Sequence, residues 1–206
     1  MKLNYKTTMS LAAAMGCLAL TATSTHAALV NAGFNDDGTQ VGDPTGWTLD
    51  GTFVGTRTTT SNLVPTEGTH MMWLNVGTLY QDTGIVIEAG STYTLTVDLG
   101  VTTFPGHTGV FRLYGSGGDH NTALAGAETS VDVTGLNGAG TWDLDQTTSF
   151  VATGTEAGQT LGIALQTIGT QVEWDNVRLD IAPVPEPSSA ALLGLGGLAL
   201  ILRRRK

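Results

Sequence analysis

The strictest constraint on the fold of this chain is a two-residue alternation of apolar and polar side chains. In the segment TYTLTVDL, Tyr93, Leu95, Val97 and Leu99 share one parity, whereas threonines and an aspartate take the other. This period places the two sets on opposite faces of a β-strand. Similar short runs recur, such as TLGIALQT and QVEWDNVRLDI, and glycine, proline, asparagine and aspartate separate them at short intervals.

Between residues 28 and 182 no segment has a sustained helical period. Many short strands without helices predict an all-β fold, and we expect an antiparallel β-sandwich of about eight or nine strands closed as a jelly roll. The stretch contains 155 residues, which is enough for one domain with a substantial core.

The same stretch is strongly acidic. It contains only Arg57, Arg112 and Arg178 of the nine basic residues but seventeen of the eighteen acidic ones, so its formal charge is 3 − 17 = −14. A surface of this sign repels phosphate backbones and argues against nucleic-acid binding. Cations and neutral polar ligands fit it better.

Residues 1–27 have the pattern of a signal peptide. Lys2 and Lys6 precede the apolar stretch MSLAAAMGCLALTA, and THA ahead of Ala28 offers a small-residue cleavage site. Cleavage there removes Cys17, the single cysteine, so the mature chain has no disulfide. The sequence AMGC leaves lipoprotein processing at Cys17 open as an alternative.

The C-terminal segment, residues 183–206, combines three unlike features in a fixed order. An apolar run of thirteen residues is short for a membrane span, which usually needs about twenty. The basic cluster after it favours the cytoplasmic side. In order, the features are Pro185, Glu186 and Pro187, the apolar run 190–202, and Arg203, Arg204, Arg205 and Lys206.

This order resembles the PEP-CTERM sorting signal. The resemblance implies that an exosortase-type membrane enzyme is a partner and that the protein is exported through the inner membrane. It also implies transient anchoring through a C-terminal transmembrane helix, followed by a location at the cell surface or in the extracellular matrix. An ordinary short tail anchor is the alternative.

Two segments at the ends of residues 28–182, LVNAGFNDDG and VEWDNVRLDI, resemble the ends of galactose-binding-like jelly rolls, the scaffold of many carbohydrate-binding modules. The resemblance implies a structural calcium ion held by Asn35, with Asp36 beside it, and by Asp175. Oxygen atoms of these side chains suit calcium, although Asn35 stands where the family has glutamate. The alternative is that Asp36 caps a turn and Asp175 faces solvent.

The alternation of the last strand also changes phase at Asp175 and Asn176. Val172 and Trp174 share one parity, whereas the apolar residues that follow take the other. An extra residue of this kind predicts a β-bulge. The parity also places Trp174 in the core.

Sugars stack on the faces of aromatic rings, so we expect the ligand-binding residues among Trp142, Trp73 and Tyr114. Trp142 follows the glycine-rich segment TGLNGAG and is the best placed of the three for exposure. For each of these rings a supporting role in the core is the alternative.

Motifs of known catalytic sites are missing from the sequence. There is no G-x-S-x-G, no H-E-x-x-H and no phosphate-binding loop, and Asp143 with Asp145 is the one conceivable carboxylate pair. We therefore predict a non-enzymatic exported protein associated with extracellular polysaccharide or the cell surface. A structural protein of a biofilm matrix without a specific ligand is the alternative, and a small polysaccharide hydrolase or lyase is a weaker one.

Overall fold

The computed structural model describes residues 24–60, 63–102, 107–136 and 141–183. They form two 3₁₀ helices (Leu124–Gly126 and Thr134–Leu136) and ten β-strands: β1 (Thr25–His26), β2 (Gln40–Val41), β3 (Thr48–Gly51), β4 (Val54–Arg57), β5 (Met71–Val86), β6 (Ser91–Gly100), β7 (Thr108–Gly115), β8 (Glu128–Asp132), β9 (Trp142–Val151) and β10 (Thr160–Pro183). The predicted all-β fold is confirmed. The strand number exceeds the expected eight or nine, and β1 and β2 are pairings of two residues each.

Three parts of the sequence-based prediction lie outside the described residues. They are the apolar part of the signal peptide with Cys17, the Pro-Glu-Pro motif, and the apolar and basic C-terminal run. Among the residues that are described, no helix has the length and apolar character needed to cross a membrane.

Two long strands run through both layers of the sandwich. The first part of β5 and the last part of β10 belong to a front sheet with the order β2-β4-β5-β10-β6-β9. The remaining parts belong to a back sheet with the order β3-β5-β10-β7-β8. Every pairing is antiparallel.

β5 and β10 pass from one sheet to the other at two adjacent bends. The register between them shifts between Thr167 and Gln171, and Gly77 opposite this point has a φ of 148°. A Cβ atom on Gly77 would lie 2.6 Å from the Cα atom of Gly51 on β3, so only glycine fits there. The sequence predicts separate strands on either side of each bend, because alternation stops there, but the chain continues without a turn.

The core lies between the two sheets. Trp174 and Leu99 of the front sheet share one buried apolar cluster with Phe111 and Leu165 of the back sheet. Gly109 on β7 brings the layers into contact, since a Cβ atom there would collide with Leu99. Full burial of an apolar side chain stabilises the folded state by about 1.5–3 kcal/mol. The predicted core position of Trp174 is confirmed, because its exposed fraction is 0%.

The β-bulge predicted at Asp175 and Asn176 is also confirmed. The register between β10 and β6 shifts between Asp175 and Arg178, and Asn176 has a φ of 52°. On the other side of β6, Asp145 of β9 has a φ of 55°. The buried carboxylate of Asp98 accepts hydrogen bonds from the Asp145 amide (2.8 Å) and from Asn176 Nδ2 (3.1 Å). It thereby ties the two irregular strands to β6.

Candidate functional site

Five residues from five neighbouring strands form one row across the outer face of the front sheet. The register pairs Gly55 with Trp73, Trp73 with Glu173, Glu173 with Gly100, and Gly100 with Trp142. The sequence neighbours of the three central residues belong to the apolar core, and side chains alternate along a strand. The row therefore faces away from the core, and we call it the tryptophan–acid row.

Each tryptophan ring of the row lies over a glycine. A Cβ atom on Gly55 would lie 2.8 Å from Cζ2 of Trp73, and one on Gly100 would lie 3.0 Å from Cε3 of Trp142. Because these glycines have no side chain, the rings can approach the sheet closely. Both rings are partly exposed. Trp73 and Trp142 are three strand spacings apart, or about 14 Å.

Glu173 lies between the tryptophans, and it is fully buried. Its Oε1 atom accepts a hydrogen bond from the Arg57 guanidinium and another from the Thr102 hydroxyl at 3.4 Å. Burial raises the pKa of Glu173 to about 7, because lost hydration outweighs the attraction of Arg57. The carboxyl group can therefore donate or accept a hydrogen bond near neutral pH.

Arg57 completes the polar centre of the row. It follows Gly55 by two residues and so points to the same face, where its Cζ atom lies 5.8 Å from the centroid of Trp73. Burial lowers the pKa of Arg57, and the ion pair with Glu173 opposes this shift. Arg57 Nε and Glu173 Oε2 are both buried and have no hydrogen-bond partner within the part of the chain that the structure describes.

The segment of residues 63–70, which we call the strap, folds against one end of the row. Its Leu63 is fully buried, and Cδ2 of Leu63 would lie 3.0 Å from a Cβ atom on Gly100. The indole N–H of Trp142 donates to the carbonyl oxygen of Val64 at 2.8 Å. Trp142 therefore both forms part of the row and holds the strap.

Asp175, one of the predicted calcium ligands, holds the middle of the strap. Its buried Oδ2 atom accepts hydrogen bonds from the amides of Thr66 (2.7 Å) and Glu67 (3.0 Å), and Oδ1 accepts one from the Asn176 amide (2.7 Å). Burial raises the pKa of Asp175 to about 6, although these hydrogen bonds lower it. The carboxylate thus acts as an anchor for backbone N–H groups.

Asn35, the second predicted calcium ligand, holds the end of the strap. Its Oδ1 atom accepts hydrogen bonds from the amides of Thr69 (2.7 Å) and His70 (3.0 Å). Asp36, the third, is exposed. The side-chain oxygens of Asn35 and Asp175 are thus engaged by backbone N–H donors. In the described ranges no cluster of three or more His, Cys, Asp or Glu side chains could hold a metal, and calcium binding stays a prediction.

Tyr114, the third predicted ligand-binding residue, lies in the other layer. It belongs to the outer face of the back sheet, is 2% exposed, and donates its hydroxyl to Asp82 at 2.6 Å. Its ring covers Gly162, and burial together with Asp82 raises its pKa. The structure therefore brings Trp73 and Trp142 into one row but places Tyr114 apart from them.

The conceivable carboxylate pair of Asp143 and Asp145 is interrupted by the bulge in β9. Asp145 pairs with Arg178, and Asp143 accepts a hydrogen bond from Gln146 Nε2 at 2.8 Å. Each carboxylate is thus engaged by a different side chain.

The sequence reasoning missed Glu173 and Arg57. Alternation predicts that Glu173 is an ordinary outward-facing polar residue of a strand, because both of its sequence neighbours are apolar. A signal was available in Arg57, since a basic residue is rare in a domain with seventeen acidic residues and three arginines. A rare cation of this kind points to a specific carboxylate partner.

Two family models match the chain. The model described as HpiC1-like, HpiC1 cyclase, matches residues 25–180. The model described as PEP-CTERM protein-sorting motif matches residues 183–206, which confirms the resemblance and indicates export and sorting to the cell surface. A comparison with curated proteins gave no significant match.

Solved structures share the fold of the described domain. A crystal structure of a cyclase from Fischerella sp. TAU has a TM-score of 0.63 and 21% identity, covering 80% of this chain and 100% of that one. An apo form cyclase from Fischerella sp. has a TM-score of 0.60 and 23% identity, with 79% and 98% coverage. The CBM22-1-CBM22-2 tandem domain of Paenibacillus barcinonensis Xyn10C has a TM-score of 0.51 and 13% identity, covering 79% of this chain and 47% of that one. At these identities the likeness establishes the fold alone.

Proposed function

The chain belongs to the HpiC1-like family and carries a sorting motif, and from this premise we propose that it is an exported protein whose tryptophan–acid row binds a neutral glycan. One observation carries the proposal: two partly exposed tryptophan rings lie in one row with the buried Glu173, whose partner is the half-buried Arg57. Binding sites for small ligands typically combine aromatic walls with a few convergent polar groups.

The charge of the domain favours neutral ligands. With a formal charge of −14 over residues 28–182, acidic polysaccharides are repelled at low salt, whereas neutral ones are not. Stacking on a tryptophan depends little on salt, but repulsion is screened over about 10 Å at 0.1 M salt. In this proposal the domain associates with extracellular polysaccharide at the cell surface or in a biofilm matrix.

The proposal assigns the export steps to the C-terminal segment. An exosortase-type membrane enzyme processes the motif, and the apolar run 190–202 holds the chain at the membrane until then. The domain then remains at the cell surface or enters the extracellular matrix.

Affinity electrophoresis tests glycan binding. Gels containing neutral or acidic polysaccharides are run at two salt concentrations with the wild type, Trp73→Ala, Trp142→Ala and the control Ser149→Ala, which changes an exposed residue on β9. We expect a neutral polysaccharide to retard the wild type at both salt concentrations, and each tryptophan variant to bind about tenfold more weakly. Tight binding to sulfated or carboxylated glycans at low salt without calcium would contradict the proposal. No retardation at all would favour a matrix protein without a specific ligand.

A second candidate is cyclisation assisted by proton transfer, and it replaces the non-enzymatic prediction if its test succeeds. The observation that favours it is Glu173, a buried carboxyl group with a pKa of about 7, in a chain of a family described by a cyclase. Glu173 would donate its proton to the substrate, the face of the adjacent Trp73 would stabilise the resulting cation, and loss of a proton from the cyclised cation to Glu173 would restore the acid. The product is then an isomer of the substrate.

The second candidate is tested with substrates of the Fischerella cyclase. Wild type, Glu173→Gln and the control Glu88→Gln are incubated with them, and isomers of equal mass are separated by chromatography. We expect wild type and control to convert a substrate, and Glu173→Gln to be at least about a hundredfold slower. Conversion by Glu173→Gln at the wild-type rate would remove Glu173 from this role.

A further inference from the structure

We propose that Arg57 Nε and Glu173 Oε2 form a binding position for one hydroxyl group of a neutral sugar. The proposal rests on the glycan-binding function proposed above and names the polar contact of that site. The hydrogen bonds of the row leave these two atoms unpaired.

Both atoms belong to one ion pair. The Arg57 guanidinium binds Glu173 through a terminal nitrogen and Oε1. In a bidentate pair, Arg57 Nε and Glu173 Oε2 would bind each other, but here both are buried and neither has a partner among the described residues. A buried polar group without a hydrogen bond costs about 1–3 kcal/mol, so a group that bonds to both atoms is strongly favoured.

The chemistry of the two atoms selects this group. Arg57 Nε can only donate a hydrogen bond, whereas Glu173 Oε2 accepts one when the carboxyl is ionised. A hydroxyl group accepts and donates at once and therefore satisfies both atoms. A carboxylate ligand is opposed by Glu173 and by the nearby Asp175, and an ammonium ligand is opposed by Arg57.

The neighbouring ring places the sugar. The Arg57 guanidinium lies over Trp73 with its Cζ atom 5.8 Å from the ring centroid, so a sugar stacked on the remaining exposed part of Trp73 has a hydroxyl within reach of the ion pair. Because Arg57 Nε and Glu173 Oε2 are buried, the hydroxyl reaches them only when the side chains of the ion pair rearrange. Association is therefore expected to be slow compared with binding to an open surface.

Two conservative variants test the position by affinity electrophoresis in a neutral polysaccharide. Arg57→Lys keeps the charge but removes the Nε–H donor, and Glu173→Gln keeps the shape but removes the charge. The control is Arg178→Lys, which changes a front-sheet arginine paired with Asp145. We expect the first two variants to bind about tenfold more weakly or worse, and the control to bind within twofold of the wild type. Thermal melts check that each variant is folded.

A second measurement keeps the inference independent of polysaccharide binding. The ¹⁵N-resolved signal of the Arg57 Nε–H group is followed by NMR while methyl glucoside, methyl galactoside and methyl xyloside are added singly. We expect one of these probes to shift this signal in the wild type and not in Glu173→Gln.

The outcomes separate the two proposals. If the gels show binding that Arg57→Lys and Glu173→Gln leave unchanged, the hydroxyl position is refuted while glycan binding through the tryptophans stands. If no polysaccharide binds but a methyl glycoside shifts the Arg57 signal, the hydroxyl position stands and polysaccharide binding is refuted. If no probe shifts the signal and no variant loses affinity, the two atoms are bridged by water or by each other, and the inference is overturned.

Discussion

Replacing Glu173 by glutamine is expected to stabilise the protein above neutral pH. The pKa of Glu173 is about 7 in the folded protein, compared with 4.5 for an ordinary glutamate. At about 1.4 kcal/mol per pH unit, this difference amounts to about 3 kcal/mol. The cause is burial of the carboxylate, which the ion pair with Arg57 offsets only in part.

The sign follows from proton binding. Between pH 4.5 and 7 the folded protein binds more protons at Glu173 than the unfolded chain does, so its free energy of unfolding falls as the pH rises. The contribution of Glu173 is fully present below pH 4.5 and is lost as the pH passes through 7. Glutamine does not titrate, so the stability of Glu173→Gln lacks this decline. Asp175, with a pKa of about 6, adds a decline of its own in both proteins.

Urea denaturation of the purified protein between pH 4.5 and 8.5 measures the effect. We expect wild type and Glu173→Gln to have similar stability at pH 4.5, and the variant to become more stable by up to about 3 kcal/mol at pH 8.5. Glu88→Gln, at an exposed position, should follow the wild type throughout. A variant that is less stable than the wild type at pH 8.5 would refute the reasoning, because the ion pair would then outweigh the burial of the charge.

Three further predictions concern the strap, calcium and sorting. Asp175→Ala leaves strap amides without an acceptor. We expect the free energy of unfolding, measured by urea denaturation, to fall by about 2 kcal/mol, and proteolysis within the strap to become faster. Wild-type behaviour would contradict the anchor role. If Asn35, Asp36 and Asp175 hold calcium, excess EDTA should lower the melting temperature, since a ligand at 100 times its Kd stabilises the folded protein by about 2.7 kcal/mol; an unchanged melting curve would count against this site. Replacing residues 203–206 by glutamate should misplace the protein, and unchanged processing would count against sorting by this motif.

Strand periodicity was sufficient to predict the all-β fold class and the side chains that face the core. Tyr93, Leu95, Val97 and Leu99 are all buried as the alternation of their segment requires. The phase change at Asp175 likewise predicted the bulge, because one inserted residue reverses the parity of everything after it. Such signals are local, because they depend only on neighbouring residues along one strand.

The tryptophan–acid row could not be predicted in the same way. Its members lie between 18 and 118 residues apart along the chain, the largest separation being that of Gly55 and Glu173, and they meet only through the register of four strand pairings. Tyr114 illustrates the same limit. The sequence singles it out as an aromatic candidate but does not tell which of the two sheets carries it.

The path of β10 determines how the domain responds to a pull on its C-terminal end. β10 ends at Pro183, where the sorting motif begins, and it pairs with β5, β6 and β7 along its length. Antiparallel hydrogen bonds run perpendicular to the strands, so tension along β10 loads many of them simultaneously in shear. A domain held by its C-terminal segment would therefore transmit force into the middle of both sheets and resist stepwise peeling from an edge.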